Sequence, residues 1–155
     1  MIQVTSPAQS ESQKLELKVS ELISHINGTY GSLEFTPVHH YHNHIDQDEY
    51  FALLSVADIG LITSVRDGMN TTSLEYIMCQ QENHGPLILS EFTGMAGSLG
   101  AAIMVNPWDY SGVAKAINDA LNLPADEKKS KQLVNNTLFL YCLLTNIQVF
   151  SSNLI

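Results

Sequence analysis

The sequence predicts an α/β fold: a parallel, Rossmann-like sheet with flanking helices. Three observations predict it. Short β-capable apolar runs, such as Ile59 to Ile62, Leu87 to Leu89 and Ile103 to Val105, alternate with stretches of helical period. Those runs are apolar throughout rather than alternating, as strands covered on both faces should be. Helices between successive strands imply right-handed βαβ crossovers, and therefore parallel pairing.

The elements follow in chain order. Ile2-Gln3-Val4 reads as a short strand. From Ser10 to Ile26, Leu15, Val19, Leu22 and Ile26 recur at helical spacing, and Gly28-Thr29-Tyr30-Gly31 breaks the helix. Leu33 to Val38 reads as a strand weakened by Pro37. Asp48 to Ala57 places Phe51, Leu54 and Ala57 on one face of a short helix. The buried strand Ile59 to Ile62 is followed by a helix over Thr72 to Gln81, with Leu74, Ile77 and Met78 on one stripe. Gly94, Gly97 and Gly100 keep the link between the next two strands loose or weakly helical. Tyr110 to Leu121 is a helix with Val113, Ala114, Ile117 and Leu121 inward, stopping before Pro124. Ala125 to Lys131 reads as a charged connector, and Leu138 to Leu144 as an apolar run with no clear helical stripe, an aggregation liability if exposed.

Composition bounds the function. The chain has 155 residues, 45% apolar and 15% charged, which suits one domain with one core. Seven basic against sixteen acidic residues give a net charge of −9. That balance carries no nucleic-acid footprint and is repelled by an acidic membrane surface. Cys79 and Cys142 form no disulfide framework and read as reduced thiols. No basic stretch followed by an apolar run opens the chain, and the apolar run near its end is far short of the ~20 residues a membrane helix needs. The expected location is the cytoplasm.

The chemistry is expected between the strand Ile59 to Ile62 and the following helix, in Val65 to Tyr76. Ligands of open α/β sheets bind outside the carboxyl ends of strands. A helix start there offers N–H groups and a positive dipole end suited to phosphate. Gly68 lets backbone approach a ligand closely. Asp67 and Glu75 are carboxylates able to accept hydrogen bonds from sugar hydroxyls. The same residues support a plainer reading. Thr72-Ser73-Leu74-Glu75 fits a capping box with Thr72 as N-cap, and Asp67-Gly68 is an ordinary turn pair.

Several segments in register carry a resemblance: Arg66-Asp67-Gly68-Met69-Asn70, Glu75-Tyr76, Leu87 to Gly94, and Val105-Asn106-Pro107-Trp108. From Met1 to about Lys129 the chain resembles the trehalose-6-phosphate synthases of glycosyltransferase family 20. The resemblance implies part of the second, donor-binding domain of a two-domain (GT-B) glycosyltransferase. It implies that Asp67 bonds hydroxyls of the donor glucose, and that Gly68, Met69 and Asn70, with the helix start at Thr71 and Thr72, contact sugar and diphosphate. Glu75 would hold the ribose of UDP. Family members transfer glucose from UDP-glucose to glucose 6-phosphate with retention and without a metal, so no cofactor is expected.

The chain also departs from the family. The Arg and Lys that serve the leaving diphosphate belong to a segment upstream of Met1, and the acceptor-binding half has no counterpart, so no catalytic residue is assigned and this chain alone is expected to be inactive. Thr71-Thr72 stands where active synthases carry an aliphatic pair. With Pro37 to Tyr41, it is more similar to the synthase-like domain of fungal trehalose-6-phosphate phosphatases and regulatory subunits, which mainly assembles the complex. The alternative is a fragment of a catalytic synthase. Expected partners are other subunits of a trehalose synthase complex and, weakly, UDP-glucose. Residues 130–155 do not resemble the family and read as an atypical tail. A doubly wound domain would have its central first strand upstream of Met1, so the strands present are expected to flank a gap and the protein to be marginal or aggregating.

Four further features lie outside the segment Val65 to Tyr76. His40, His42 and His44 share a face if extended, but no second ligand set at zinc-like spacing accompanies them, so no metal is expected. By the resemblance His39 to His44 lies near the nucleotide base. Glu91 and Asn106 sit at strand ends, as rim or as turn residues. Trp108 reads as a packing anchor, and Cys79 as buried and inert.

Overall fold

The computed structural model describes residues 1–4, 13–41 and 45–152. The chain divides into two compact units, Met1–Glu49 and Tyr50–Ile155.

In the first unit β1 (Ile2–Val4) pairs in parallel with β2 (His39–Tyr41), Ile2 opposite His39 and Val4 opposite Tyr41. Between them α1 spans Gln13–Tyr30, running through Gly28 and ending only at Gly31, whose N–H bonds the Asn27 carbonyl at 2.9 Å. The strand expected over Leu33 to Val38 is a loop instead. Its apolar Leu33 and Phe35 are exposed. The backbone of Val38 is occupied on both sides by the Asn27 amide, which donates to its carbonyl and accepts from its N–H, each at 2.9 Å. Pairing therefore starts one residue later, where the His39 N–H reaches the Met1 carbonyl at 2.8 Å. Of the histidine cluster, His42 and His44 lie outside the described residues.

α2 (Gln47–Val56) follows. In the second unit β3 (Gly60–Ile62), β4 (Leu87–Ser90) and β5 (Ile103–Val105) form a wholly parallel sheet in the order β3-β4-β5. β4 is central and buried throughout, and the period of two decides its packing. Leu87 and Leu89 join Tyr76, Ile77, Leu99 and Ala102 in one core. Ile88 joins Val105, Ala116 and Ala120 in another. Hence α3 (Thr71–Cys79) covers one face and α4 (Tyr110–Leu121) the other. A short 3-10 helix, Gly94–Gly97, occupies the glycine-rich link. The strands thus belong to two sheets, β1-β2 and β3-β4-β5.

Three helices depart from expectation. On α3, Ile77 is buried and Leu74 packs on the core as expected, joined by Ser73 and Tyr76, while Met78 is exposed; the Tyr76 ring lies against Gly60. On α4, Val113 and Ile117 pack inward as expected, beside the small buried Ala116 and Ala120, whereas Ala114 and Leu121 are exposed. The expected connector at Ala125 is the first turn of α5, a helix over Ala125–Ser152. Its docked face is polar. Gln132 Nε2 donates to the Ile77 carbonyl at 2.5 Å, and Asn135 Oδ1 accepts from the Ala101 N–H at 3.2 Å. Leu133, Val134, Leu138, Leu140 and Tyr141 are exposed, which is why apolar spacing alone misplaces this helix.

Candidate functional site

The segment joining β3 to α3 lies at the carboxyl end of the sheet and is fastened to the segment leaving β4. Asp67 forms an isolated parallel bridge with Thr93, and the Gly94 N–H donates to the Asp67 carbonyl at 3.0 Å. Thr93 is itself buried and its hydroxyl donates to the Ser90 carbonyl at 3.0 Å. The backbone of Asp67 is thereby fixed by the strand that anchors the core.

Asn70 organises the turn. It is the N-cap of α3, with φ −80° and ψ 100°. Its Oδ1 accepts from the Ser73 N–H at 2.7 Å, and its carbonyl accepts from the Ser73 hydroxyl at 2.7 Å. Its Nδ2 donates to Asp67 Oδ2 at 2.6 Å. The expected capping box is thus corrected. The helix starts at Thr71, so Thr72 stands inside the first turn and cannot cap it. Glu75 does not reach back. Its Oε2 accepts from the Tyr50 hydroxyl at 2.7 Å.

The expected site residues therefore fall into two bonded groups at the start of one helix. Asp67 and Asn70, half-buried, are joined directly. Glu75, also half-buried, is joined to Tyr50. Gly68, Met69, Thr71 and Thr72 are exposed between them. The first turn of α3 holds no acid, so its positive end is not neutralised from within the helix. Sequence reasoning missed Tyr50. An aromatic residue in the first turn of an amphipathic helix reads as packing, and nothing in its spacing points to a carboxylate 25 residues on. Burial, then the bond to the Glu75 carboxylate, push the Tyr50 phenol up to about 12, against a smaller opposite effect of the Thr72 hydroxyl.

The remaining candidates are placed elsewhere. Asn106 is a turn residue, its Oδ1 accepting from the Trp108 N–H at 3.0 Å. Trp108 is no packing anchor; it is 63% exposed. Glu91 is exposed, and Cys79 is half-buried rather than buried. A shallow hollow of about 240 Å³ lies between β5 and α4, lined by Met104, Asn106, Asp109, Lys115 and Asp119 among others, and none of Asp67, Gly68, Met69, Asn70, Thr71, Thr72 and Glu75 borders it. Among the described residues no group of three or more His, Cys, Asp or Glu is placed to hold a metal. Among them, too, no helix is long and apolar enough to cross a membrane.

Known proteins are similar to this chain in sequence and fold. The trehalose-phosphatase of Schizosaccharomyces pombe is 51% identical over 133 residues, covering 84% of this chain and 16% of its own length. The UDP-forming alpha,alpha-trehalose-phosphate synthase A of Dictyostelium discoideum is 48% identical over 134 residues, covering 84% of this chain and 18% of its own. Among solved structures, the N-terminal domain of Candida albicans trehalose-6-phosphate phosphatase superposes with a TM-score of 0.87 at 58% identity, over 90% of this chain and 30% of that one. The chain thus spans less than a third of each of these relatives. The profile of glycosyltransferase family 20 matches residues 1–145, continuing into α5. With the parallel sheet, the superposition and the sequence match in agreement, the chain belongs to glycosyltransferase family 20.

Proposed function

We propose that this chain carries half of a UDP-glucose site, within a synthase-like domain of the kind found in trehalose-6-phosphate phosphatases, and that it serves trehalose biosynthesis. In this reading residues 1–129 are part of the donor-binding domain. One observation carries the site: Asn70 bonds the Asp67 carboxylate and the first turn of α3 at once. The acid for the sugar and the helix start for the diphosphate are thereby one rigid piece. Asp67 keeps acceptor capacity beyond its bond to Asn70, enough for hexose hydroxyls. Glu75, released from any capping role, is available to the ribose. Gly68 and Met69 are exposed at the turn, where backbone can approach the ligand.

Binding is not transfer. A departing diphosphate needs preorganised positive charge, and none of Asp67, Gly68, Met69, Asn70, Thr71, Thr72 and Glu75 is basic. The chain by itself therefore binds donor without forming product. The phosphatase-type assignment rests on Thr71-Thr72 and on the 58% identity to the Candida albicans domain. A catalytic synthase origin is the second reading, favoured by the 48% identity to the Dictyostelium enzyme. In either, the chain acts by docking with other subunits of a trehalose synthase complex.

Titration calorimetry with UDP tests the site. Wild type should bind, and Asp67→Ala and Glu75→Ala should each weaken binding by at least about tenfold, the worth of a hydrogen bond to a charged group. Equal heats for the three proteins would refute the reading. Incubation with UDP-glucose and glucose 6-phosphate should yield no trehalose 6-phosphate.

A further inference from the structure

A glutamate on a helix surface has three free side-chain torsions, and a carboxylate that is to grip two neighbouring hydroxyls must have its plane fixed first. Glu75 is fixed by a residue from another element. Tyr50 stands in the first turn of α2, and its hydroxyl donates to Glu75 Oε2 at 2.7 Å. The far end of α2 is pinned independently. The fully buried Gln80 donates through Nε2 to the Leu54 carbonyl at 2.5 Å and to the Ala57 carbonyl at 2.9 Å, and its Oε1 accepts from the Gly85 N–H at 2.8 Å. α2 is therefore held against α3 at both ends, and only the Tyr50 end touches a residue of the candidate site.

We infer that Tyr50 is a positioning residue for ligand recognition: its O–H holds one oxygen of Glu75 so that the other faces the vicinal hydroxyls of a ribose. This rests on the reading of Glu75 given above. A carboxylate offers about four acceptor positions, and Tyr50 uses one, leaving Oε1 whole for a diol. A site built around such a contact discriminates against an analogue that lacks the hydroxyl, because its acceptor is then left unpaired.

The test compares UDP with 2′-deoxy-UDP and 3′-deoxy-UDP by calorimetry on the full chain, as wild type, Tyr50→Phe and Glu75→Ala. Phenylalanine keeps the ring beside Phe51 and removes only the hydroxyl. Wild type should prefer UDP over the weaker of the two deoxy analogues by about tenfold or more, and Tyr50→Phe should bind UDP about five- to tenfold more weakly, by the worth of one charge-assisted hydrogen bond. Tyr50→Phe should leave affinity for that analogue unchanged, so that the preference collapses. A merely structural role would weaken all three ligands alike and lower the thermal midpoint. If Glu75→Ala loses the preference while Tyr50→Phe keeps it, the positioning role is overturned and the site reading stands. If wild type does not bind UDP, or Glu75→Ala binds it undiminished, the site reading falls and takes this inference with it.

Discussion

Asn70 is the residue on which the turn depends, and its replacement separates two roles that the sequence alone confounds. Asn70→Ala removes the acceptor for the Ser73 N–H and the donor to Asp67 together. Loss of an N-cap costs about 0.5–2 kcal/mol, so the denaturant midpoint should fall and UDP affinity should fall with it. Thr72→Ala, at the position expected to cap, should leave the unfolding free energy within about 0.5 kcal/mol of wild type, as an exposed substitution does. A larger loss at Thr72 than at Asn70 would restore the capping box. Tyr50 gives a pH signature. Its phenol rises from 10.0 unfolded to about 12 folded, first by burial and then by the Glu75 bond. The fold therefore holds the neutral form. The resulting stability is whole below pH 10 and lost as pH climbs toward about 12. Buried Tyr76 is shifted upward too, chiefly by desolvation. Absorbance titration of the phenolates should show a late-ionising fraction that shrinks by one tyrosine in Tyr50→Phe.

At the scale of the element, contact between α3 and β3 is set by a flat aromatic ring against bare backbone. A Cβ on Gly60 would stand 2.8 Å from the Tyr76 ring, nearer than any relaxed contact. Gly60→Ala should cost about 1–3 kcal/mol, the usual penalty of overpacking. Gly68 has nothing within 4 Å of an added Cβ. Gly68→Ala should therefore keep the thermal midpoint and, on the proposed reading of the turn, lose UDP affinity. The strands β3, β4 and β5 and the helix α4 were legible within a residue, because a continuous apolar run and a strong amphipathic stripe each signal one structure. What could not be read was decided by polar side chains acting on distant backbone. Asn27 occupies Val38 and delays β2. Gln132 and Asn135 seat α5 by an amide face that a search for apolar period passes over. The candidate site divides the same way. The turn from Asp67 to Glu75 could be placed from its glycine, its acids and the family resemblance. The cap at Asn70 and the tie to Tyr50 depend on which of several competent partners lies nearest, and spacing along the chain does not encode that.

For the whole molecule, stability is expected to be uneven, and burial says where. In Met1–Glu49 no described side chain is buried, and the sheet there is a single pair of three-residue strands, a size with little independent stability. In Tyr50–Ile155 a buried central strand is packed on both faces, and Ile77, Ile88, Leu89, Leu99 and Ala120 are wholly inaccessible. Local opening follows buried apolar contact, so the second unit should hold its amides longest. Native-state hydrogen exchange should find β4 and the inward face of α4 protected up to the global limit, with α1 and β2 exchanging far sooner. Equal protection across both units would mean that they unfold as one. The exposed apolar row on α5 should limit solubility rather than stability. Leu133→Glu with Leu140→Glu should accordingly raise the concentration at which the protein stays monomeric in sedimentation, while the protected amides of β4 keep their rates. If those rates rose, the outer face of α5 would be supporting the core, and its polar anchors would not suffice to seat it.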